Sequence, residues 1–328
     1  MRRSVEAMFD YLDRVDRESN IGPDAARLRS GLGLAKYRFA PGSYPTAALS
    51  CGARVKFVFP GAETAAAVVS TAREKATAND PEGCRRKGLC FPHRVRQEFR
   101  ICDQDMVVTR NAAPYGRNHG VVRSAEHEPQ SLCFEPFRLC VALSVARALG
   151  SQSRSSEYEV WVAGEGFNTQ WHFHIQFRKQ RGPIWDYLDN VQGRTQNSGM
   201  LDEFPSRPFC VQQSDQRRLV EALYPRVSRF LPAGQIGNQA EPATVRPAMG
   251  LLLSYEESLW RAILVTSWYP PGERLFGKQP GLHEHLGEVI LDSQAAVEGI
   301  EADPSSAARI LEDRLREWCT PREQAGAV

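Results

Sequence analysis

The sequence predicts an α+β fold, because segments with strand-like alternation occur beside segments with helical periodicity. Strands are predicted at residues 54–59, 105–110, 120–123, 158–163, 169–177, 250–255, 260–266 and 286–291. Helices are predicted at residues 4–17, 64–77, 134–149 and 303–318. Length alone suggests about two domains, since 328 residues can bury one large core or two smaller ones.

Individual residues mark the ends and faces of these helices. Gly150 is predicted to end the third helix in a left-handed conformation. Pro304 begins the last helix, which runs to Trp318. Its inward-facing residues are predicted to be Ile310, Leu311, Leu315 and Trp318. The stretch 179–245 is rich in Gln, Arg and Pro with one apolar patch at 219–231, which predicts a crossover with some helix.

The composition argues against several classes of function. The formal net charge is +2 and no polybasic tract is present, which disfavours non-specific binding to nucleic acid or to anionic lipid. Apolar runs stay below about ten residues, too short to cross a bilayer. The N-terminal segment lacks the apolar region of a signal peptide. The eight cysteines are scattered, as in proteins with reduced thiols, so a cytoplasmic location is expected.

The most informative segment covers residues 169–177 and reads TQWHFHIQF. In an extended strand, His172, His174 and Gln176 share one face, while Phe173 and Ile175 share the other. Two imidazoles and an amide then line a rigid platform at steps of about 7 Å, which suits chemistry at a metal or a phosphate. An amphipathic strand whose polar face meets water would show the same alternation, so a second motif is needed.

That second motif precedes it and begins at Asn111. Pro114 follows after three positions, His119 comes five residues after the proline, and His127 comes eight residues later. With the later His-x-His-x-Gln, this pattern resembles the histidine-triad superfamily. Gln176 in the third triad position resembles the branch containing galactose-1-phosphate uridylyltransferase, diadenosine tetraphosphate phosphorylase and the GDP-hexose phosphorylases.

The resemblance implies a fold and a division of the chain. The expected fold is an α+β, histidine-triad-like antiparallel sheet with flanking helices, made of two similar halves of which the second is degenerate. Residues 1–190 would form the catalytic half, and residues 191–328 would complete the substrate site. The implied activity is nucleotidyl transfer between phosphate-containing substrates.

The resemblance also implies roles for individual residues. His174 would attack the α-phosphorus and carry the nucleotidyl group, because a neutral imidazole is both a nucleophile and a good leaving group. Gln176 would donate to the phosphate oxygens, and His172 would orient the catalytic strand. The substrate-binding positions would be Asn111 at the ribose, Thr169 and Gly166 at the phosphates, Asn168 in the leaving-group pocket, and His119 and His127 beside the strand.

No metal cofactor is expected to be required. Some relatives hold a structural zinc with a Cys-x-x-Cys pair and with histidines that match His127 and His172. Here Lys87 replaces the first cysteine of that pair, and the Cys84–Cys90 spacing is unusual for zinc, so a structural zinc is left open. The expected partners are a nucleotide or nucleotide-sugar substrate and a phosphate-type acceptor, in a monomer or homodimer that binds neither nucleic acid nor a membrane.

Three alternatives stay open at this point. A nucleotide hydrolase of the same fold would share every motif above. A cupin-like metalloenzyme would also use His-x-His, although Arg178 stands where a carboxylate ligand is needed. Its distant ligands would come from the segment 283–285, which is predicted to be a loop. A nucleotide-binding protein with little catalytic activity would keep the fold alone.

Overall fold

The computed structural model describes a little over half of the chain in detail, including both strands that flank the His-x-His segment. The described residues are 44–59, 84, 97–101, 104–111, 115–116, 119–128, 130, 136–150, 158–164, 167, 172–191, 198–227, 246–269, 273–291 and 293–319. The helices predicted at 4–17 and 64–77 lie outside these residues.

Twelve strands and six helices are found in the described residues. The strands are β1 (Thr46–Ala48), β2 (Arg54–Val58), β3 (Gln97–Ile101), β4 (Gln104–Arg110), β5 (Gly120–Ser124), β6 (Tyr158–Ala163), β7 (His174–Lys179), β8 (Ser198–Met200), β9 (Phe209–Gln213), β10 (Arg246–Glu256), β11 (Leu259–Tyr269) and β12 (Glu288–Ile290). The helices are α1 (Pro136–Gly150), α2 (Pro183–Val191), α3 (Gln216–Val227), α4 (Leu282–His285), α5 (Gln294–Ala302) and α6 (Pro304–Cys319).

Nine of the strands form one sheet in the order β3-β4-β5-β7-β6-β10-β11-β9-β8, and every neighbouring pair in it is antiparallel. A second, three-stranded sheet has the order β1-β2-β12, with β12 parallel to β2. The predicted α+β class with a large antiparallel sheet is therefore confirmed. The nine-stranded sheet continues across residue 190, and the division into two similar halves stays a prediction.

Both faces of the large sheet are covered. One face packs on α1 and α3 in a single apolar cluster. The other face packs on α2, α5 and α6 and on the small sheet in a second cluster. Strands β6, β9, β10 and β11 send alternate side chains to the two clusters, as strands buried on both faces must. Strand β7, which carries His174 and Gln176, lies near the middle of this sandwich.

The structure corrects several details of the sequence prediction. Helix α1 does end at Gly150, but the φ of Gly150 is not positive. Glycine is required there because a Cβ would lie 1.7 Å from the carbonyl oxygen of Tyr255. Ile310 was expected to face inward, yet it is 49% exposed. The segment 283–285 was predicted as a loop but lies buried in the short helix α4.

The region predicted as a crossover also contains strands. β8 and β9 add two strands to the edge of the large sheet, beside the helices α2 and α3. The strands β10 and β11 are longer than predicted and form a hairpin of two eleven-residue strands. Glu257 and Ser258 form its two-residue turn with φ of 47° and 68°. Both central residues of such a turn need positive φ, which the sequence usually signals with Asn or Gly.

The core side chains of the His-x-His segment fix the position of β7 in the sheet. Phe173, Ile175 and Phe177 are fully buried in the cluster beneath α1, as their alternation predicts. Phe177 lies so close to β5 that a Cβ at Gly120 would be 2.3 Å from its ring. Among the helices that the structure describes, none combines the length and the apolar character that crossing a membrane requires.

Candidate active site

The ring of His174 has a defined tautomer. Its Nδ1 lies 2.8 Å from the carbonyl oxygen of His172. A carbonyl oxygen only accepts hydrogen bonds, so Nδ1 carries the proton and donates it. The lone pair of the neutral imidazole is then on Nε2. The side chain is 6% exposed and stands on the face of β7 opposite the aromatic core. This arrangement provides a positioned nitrogen nucleophile on a rigid strand.

Gln176 is also held in one orientation. Its Oε1 accepts a hydrogen bond from Asn111 Nδ2 at 2.8 Å and lies 3.1 Å from Nε2 of His119. The main-chain N–H of Tyr115 donates to His119 Nδ1 at 3.4 Å, which leaves the His119 proton on Nε2. Asn111 Nδ2 and His119 Nε2 therefore both contact the same oxygen, and the two nitrogens lie 2.9 Å from each other. The contacts of Asn111 and His119 are therefore to the oxygen of the Gln176 amide and not to its NH₂ group.

The ring of His172 is buried and hydrogen-bonded to Ser124. Its Nε2 lies 3.0 Å from the carbonyl oxygen of Ser124 and 2.9 Å from the hydroxyl of the same residue. Donation to that carbonyl places the proton on Nε2 and the lone pair on Nδ1. Burial lowers the pKa of His172 to about 3, so the ring is neutral at physiological pH. His172 thus contributes its carbonyl to His174 and its ring to the support of the strand.

The lone pair of His172 faces other metal-binding groups. Nδ1 of His172 lies 3.4 Å from Cys84 Sγ, and the ring of His127 packs edge-on at 5.2 Å. One ligand atom each from Cys84, His127 and His172 lies within 4.8 Å of the others. A thiolate and two imidazoles suit zinc, and the bond to Ser124 gives His172 the outer partner that zinc-binding histidines commonly have. These residues fit a structural zinc, while the expectation that no metal is required stays a prediction.

A buried charge network lies next to this site along β7. Arg178 is fully buried and forms ion pairs with Glu159 on β6 and Glu288 on β12. Trp185 Nε1 donates to Glu159 at 3.1 Å, and Lys56 Nζ lies 3.9 Å from Glu288. Two carboxylates are therefore balanced by two cations. The sequence marks Arg178 only as an obstacle to a metal, because its two partners lie on strands distant in sequence.

Four rings connect this network to Gln176. Tyr115 packs against His119 at 4.5 Å and against His283 at 5.2 Å between ring centroids. Trp161 packs against the same two histidines at 5.1 Å and 4.6 Å. Burial lowers the pKa of His283 well below its usual value, which keeps this ring neutral. Because His283 lies on α4, the C-terminal part of the chain packs directly behind the residues that orient Gln176.

The structure brings together six of the nine predicted site residues around β7. These are Asn111, His119, His127, His172, His174 and Gln176. Gly166, Asn168 and Thr169 lie outside the described residues, so their roles stay predictions. Asn111 was expected at the ribose; its amide contacts Gln176 and His119, and the ribose role stays a prediction as well. Phe167 packs on His285, with ring centroids 4.7 Å apart.

His174 is not part of any metal-binding group found among the described residues, whereas His172 is. The two histidines of His-x-His therefore have different environments. Nδ1 of His172 faces Cys84, whereas Nδ1 of His174 donates to the carbonyl oxygen of His172. A cupin-like site would need both histidines on one metal. The geometry favours phosphate chemistry at His174 over metal chemistry at the pair.

Comparison with known proteins gives a structural match without a sequence match. No protein-family model matches the sequence, and no curated protein matches it significantly. The structure of yeast Ap4A phosphorylase Apa2 matches with a TM-score of 0.59 and 16% identity, covering 87% of this chain and 94% of that chain. Its complex with AMP matches with a TM-score of 0.58 and 16% identity, covering 91% and 94%.

A third structure, yeast Apa2 in complex with Ap4A, matches with a TM-score of 0.56 and 14% identity, covering 90% of this chain and 95% of that chain. At identities this low, the structural matches establish a shared fold and nothing finer. The predicted resemblance is thereby confirmed at the level of the fold: this chain has the fold of yeast Ap4A phosphorylase, a member of the branch to which its His-x-His-x-Gln motif pointed.

Proposed function

We propose that this protein is a nucleotidyltransferase of the phosphorylase type, which acts through a covalent nucleotidyl-His174 intermediate. The observation that carries the proposal is the hydrogen bond from His174 Nδ1 to the carbonyl oxygen of His172, at 2.8 Å. It leaves the lone pair on Nε2 without any need for a general base. The fold match to a phosphorylase and the spacing of both histidine motifs support the same activity.

The reaction has two displacements at the α-phosphorus. In the first, Nε2 of His174 attacks the phosphorus, an N–P bond forms, and the P–O bond to the leaving group breaks. In the second, an acceptor oxygen attacks the same phosphorus and the N–P bond breaks, which returns the electron pair to Nε2. Splitting one displacement into two in this way is the usual advantage of a covalent intermediate.

Gln176 supports both steps. Its NH₂ group donates to a non-bridging oxygen of the transferred phosphate, where charge builds up in the transition state. An amide holds this oxygen but cannot supply a proton near neutral pH. The intermediate therefore reacts best with an acceptor that is already an anion. Inorganic phosphate and sugar phosphates meet this need, and water does not.

Two classes of donor fit this chemistry. The solved neighbours carry AMP and Ap4A, which supports a dinucleoside polyphosphate as the donor. A nucleoside diphosphate sugar has the same α-phosphorus and is the second class. In either case the acceptor is phosphate or a sugar phosphate.

The experiment is a screen of both donor classes with and without inorganic phosphate, following release of nucleoside monophosphate and diphosphate. We expect turnover to rise by at least about 10²-fold on adding the right acceptor, the low end of what an acid–base group contributes. His174→Ala should abolish this turnover. Ser206→Ala is the matched control, because it removes a buried bond of 2.6 Å to the His285 carbonyl, remote in sequence from β7.

Rapid breakdown of donor that no acceptor alters would identify a hydrolase of the same fold. Nucleotide binding without turnover of any donor would indicate a protein that keeps only the binding function. Either result rejects the proposal. Full turnover by His174→Ala would reject the mechanism whatever the substrate.

A further inference from the structure

A residue outside both histidine motifs holds the main chain of His174. Gln130 is 2% exposed and precedes α1 in the chain. Its Oε1 accepts a hydrogen bond from the His174 N–H at 2.8 Å. Its Nε2 donates to the His174 carbonyl at 3.3 Å and to the Ala163 carbonyl at 2.7 Å. One side-chain amide therefore contacts both polar main-chain groups of the proposed nucleophile.

The position of this amide in the sheet is informative. The ladder between β6 and β7 ends at the pair formed by Trp161 and Gln176. Two more residues along each strand would place Ala163 opposite His174. Instead, the amide of Gln130 lies between these two residues and bonds to both. It takes the place of the direct strand-to-strand bond at the point where the two strands separate.

His174 is anchored differently on its other side. There β5 pairs with β7 in regular register, with Arg123 opposite His174. On one edge, His174 is therefore held by regular pairing with β5. On the other edge, it is held by the side chain of Gln130. Without Gln130, two carbonyl groups and one N–H group would be left without this partner in a buried place.

We propose that Gln130 is a positioning residue, which acts as a one-residue strand and fixes the position of His174 Nε2 relative to the α-phosphorus. The bonds of its side-chain amide go to main-chain groups, so it acts through the main chain of His174. A shift of about 1 Å at a reacting atom can cost about 10²-fold in rate. The proposal rests on the proposed function in that it takes His174 as the nucleophile.

The test uses Gln130→Met, which keeps the length of the side chain and removes all three hydrogen bonds. Gln130→Glu is the second variant. Its carboxylate still accepts a hydrogen bond from the His174 N–H, but it repels the carbonyl oxygens of Ala163 and His174. We expect the rate of nucleotidyl-enzyme formation in a single turnover to fall by about 10²-fold in both variants. The dissociation constant for the donor should change by less than about threefold, because ground-state binding is untouched.

Two further measurements separate positioning from loss of structure. Hydrogen exchange at the His174 amide should accelerate by at least about tenfold in Gln130→Met, because its acceptor is gone. Ser206→Ala is the control, since it removes a different buried side-chain bond to a carbonyl and should leave both the rate and the exchange at His174 unchanged. Thermal unfolding of each variant establishes that the chains compared are folded.

The results that overturn the proposal are distinct from those that overturn the function. Nucleotidyl-enzyme formation at the wild-type rate in folded Gln130→Met rejects positioning, as does a loss that appears only in donor affinity. If the wild type forms no intermediate with any donor, the proposed function fails and hydrogen exchange still decides the role of Gln130. Unchanged protection of the His174 amide in Gln130→Met would then reject it.

Discussion

The orientation of the Gln176 amide depends on Asn111, and exchanging one atom of Asn111 should reverse it. Asn111 Nδ2 donates to Gln176 Oε1 at 2.8 Å, beside the bond from His119. In Asn111→Asp this donor becomes a carboxylate oxygen, which cannot face another oxygen at that distance. The Gln176 amide should rotate to donate its NH₂ group to the new carboxylate, and its oxygen would then face the phosphate.

The size of the effect follows from the lost bond. A hydrogen bond to a charged group contributes roughly 1.5–3 kcal/mol, which corresponds to about 10- to 150-fold in rate. Repulsion between the phosphate and the amide oxygen adds to this loss, so we expect at least about 10²-fold in Asn111→Asp. Asn111→Ala removes one of the two bonds to Gln176 and the 2.9 Å contact to His119, while the bond between His119 and Gln176 remains. Its loss should be nearer the roughly fivefold expected of a neutral hydrogen bond.

The assay is single-turnover formation of the nucleotidyl enzyme, measured in both variants with and without Gln176→Ala. If Asn111 acts through Gln176, its substitution has little further effect once that amide is gone. A direct contact between Asn111 and the ribose would give a different result: the loss would persist in the Gln176→Ala background and would vanish with a donor that lacks the ribose hydroxyls. Multiplicative losses in the double variants would refute the reasoning.

Three further predictions concern the acceptor, the metal and acid stability. Gln176→His should shift the product from phosphorolysis towards hydrolysis, because an imidazole can supply a proton; an unchanged product ratio in the presence of phosphate would contradict this. Elemental analysis should find zinc in the wild type and none in Cys84→Ala, and chelators should leave turnover unchanged. Turnover that depends on zinc would show instead that the metal has a catalytic role. Burial lowers the pKa of His285 to about 4, so the folded chain resists protonating this ring. The contribution of His285 to the free energy of unfolding should be fully retained above about pH 6.5 and should decrease by up to roughly 3 kcal/mol as the pH falls towards 4, in addition to the losses from the buried rings of His172 and His283, in urea titrations. His285→Gln should show a shallower decrease, and an identical pH profile would exclude this histidine as the cause.

Local patterns in the sequence predicted the two faces of the His-x-His strand, although β7 runs from His174 to Lys179 and not over 169–177. The alternation that places Phe173 and Ile175 in the core also places His174 and Gln176 together on the opposite face, because side chains in a strand repeat with a period of two. The bounds of β6 were predicted without error for the same reason. The spacing from Asn111 to His119 identified residues that converge on Gln176.

Features that depend on distant parts of the chain were not predicted. The ion pairs of Arg178 join it to residues 19 and 110 positions away, and no local pattern marks such partners. Gln130 lies in a segment without periodicity, and its role arises only because β6 and β7 separate beside it. The turn at Glu257 carries none of the residues that usually mark positive φ. Helix α4 is only four residues long, too short to show a helical repeat.

The central claim is that His174 carries the nucleotidyl group, and trapping that intermediate tests it most directly. Wild-type protein mixed with a donor labelled in the α-phosphate, without acceptor, should retain about one label per chain in an acid-labile, base-stable bond, as a phosphoramidate requires. The label should map to the peptide that contains His174, should be released by phosphate, and should be absent from His174→Ala. A label on any other residue, or full turnover by His174→Ala, would contradict the account.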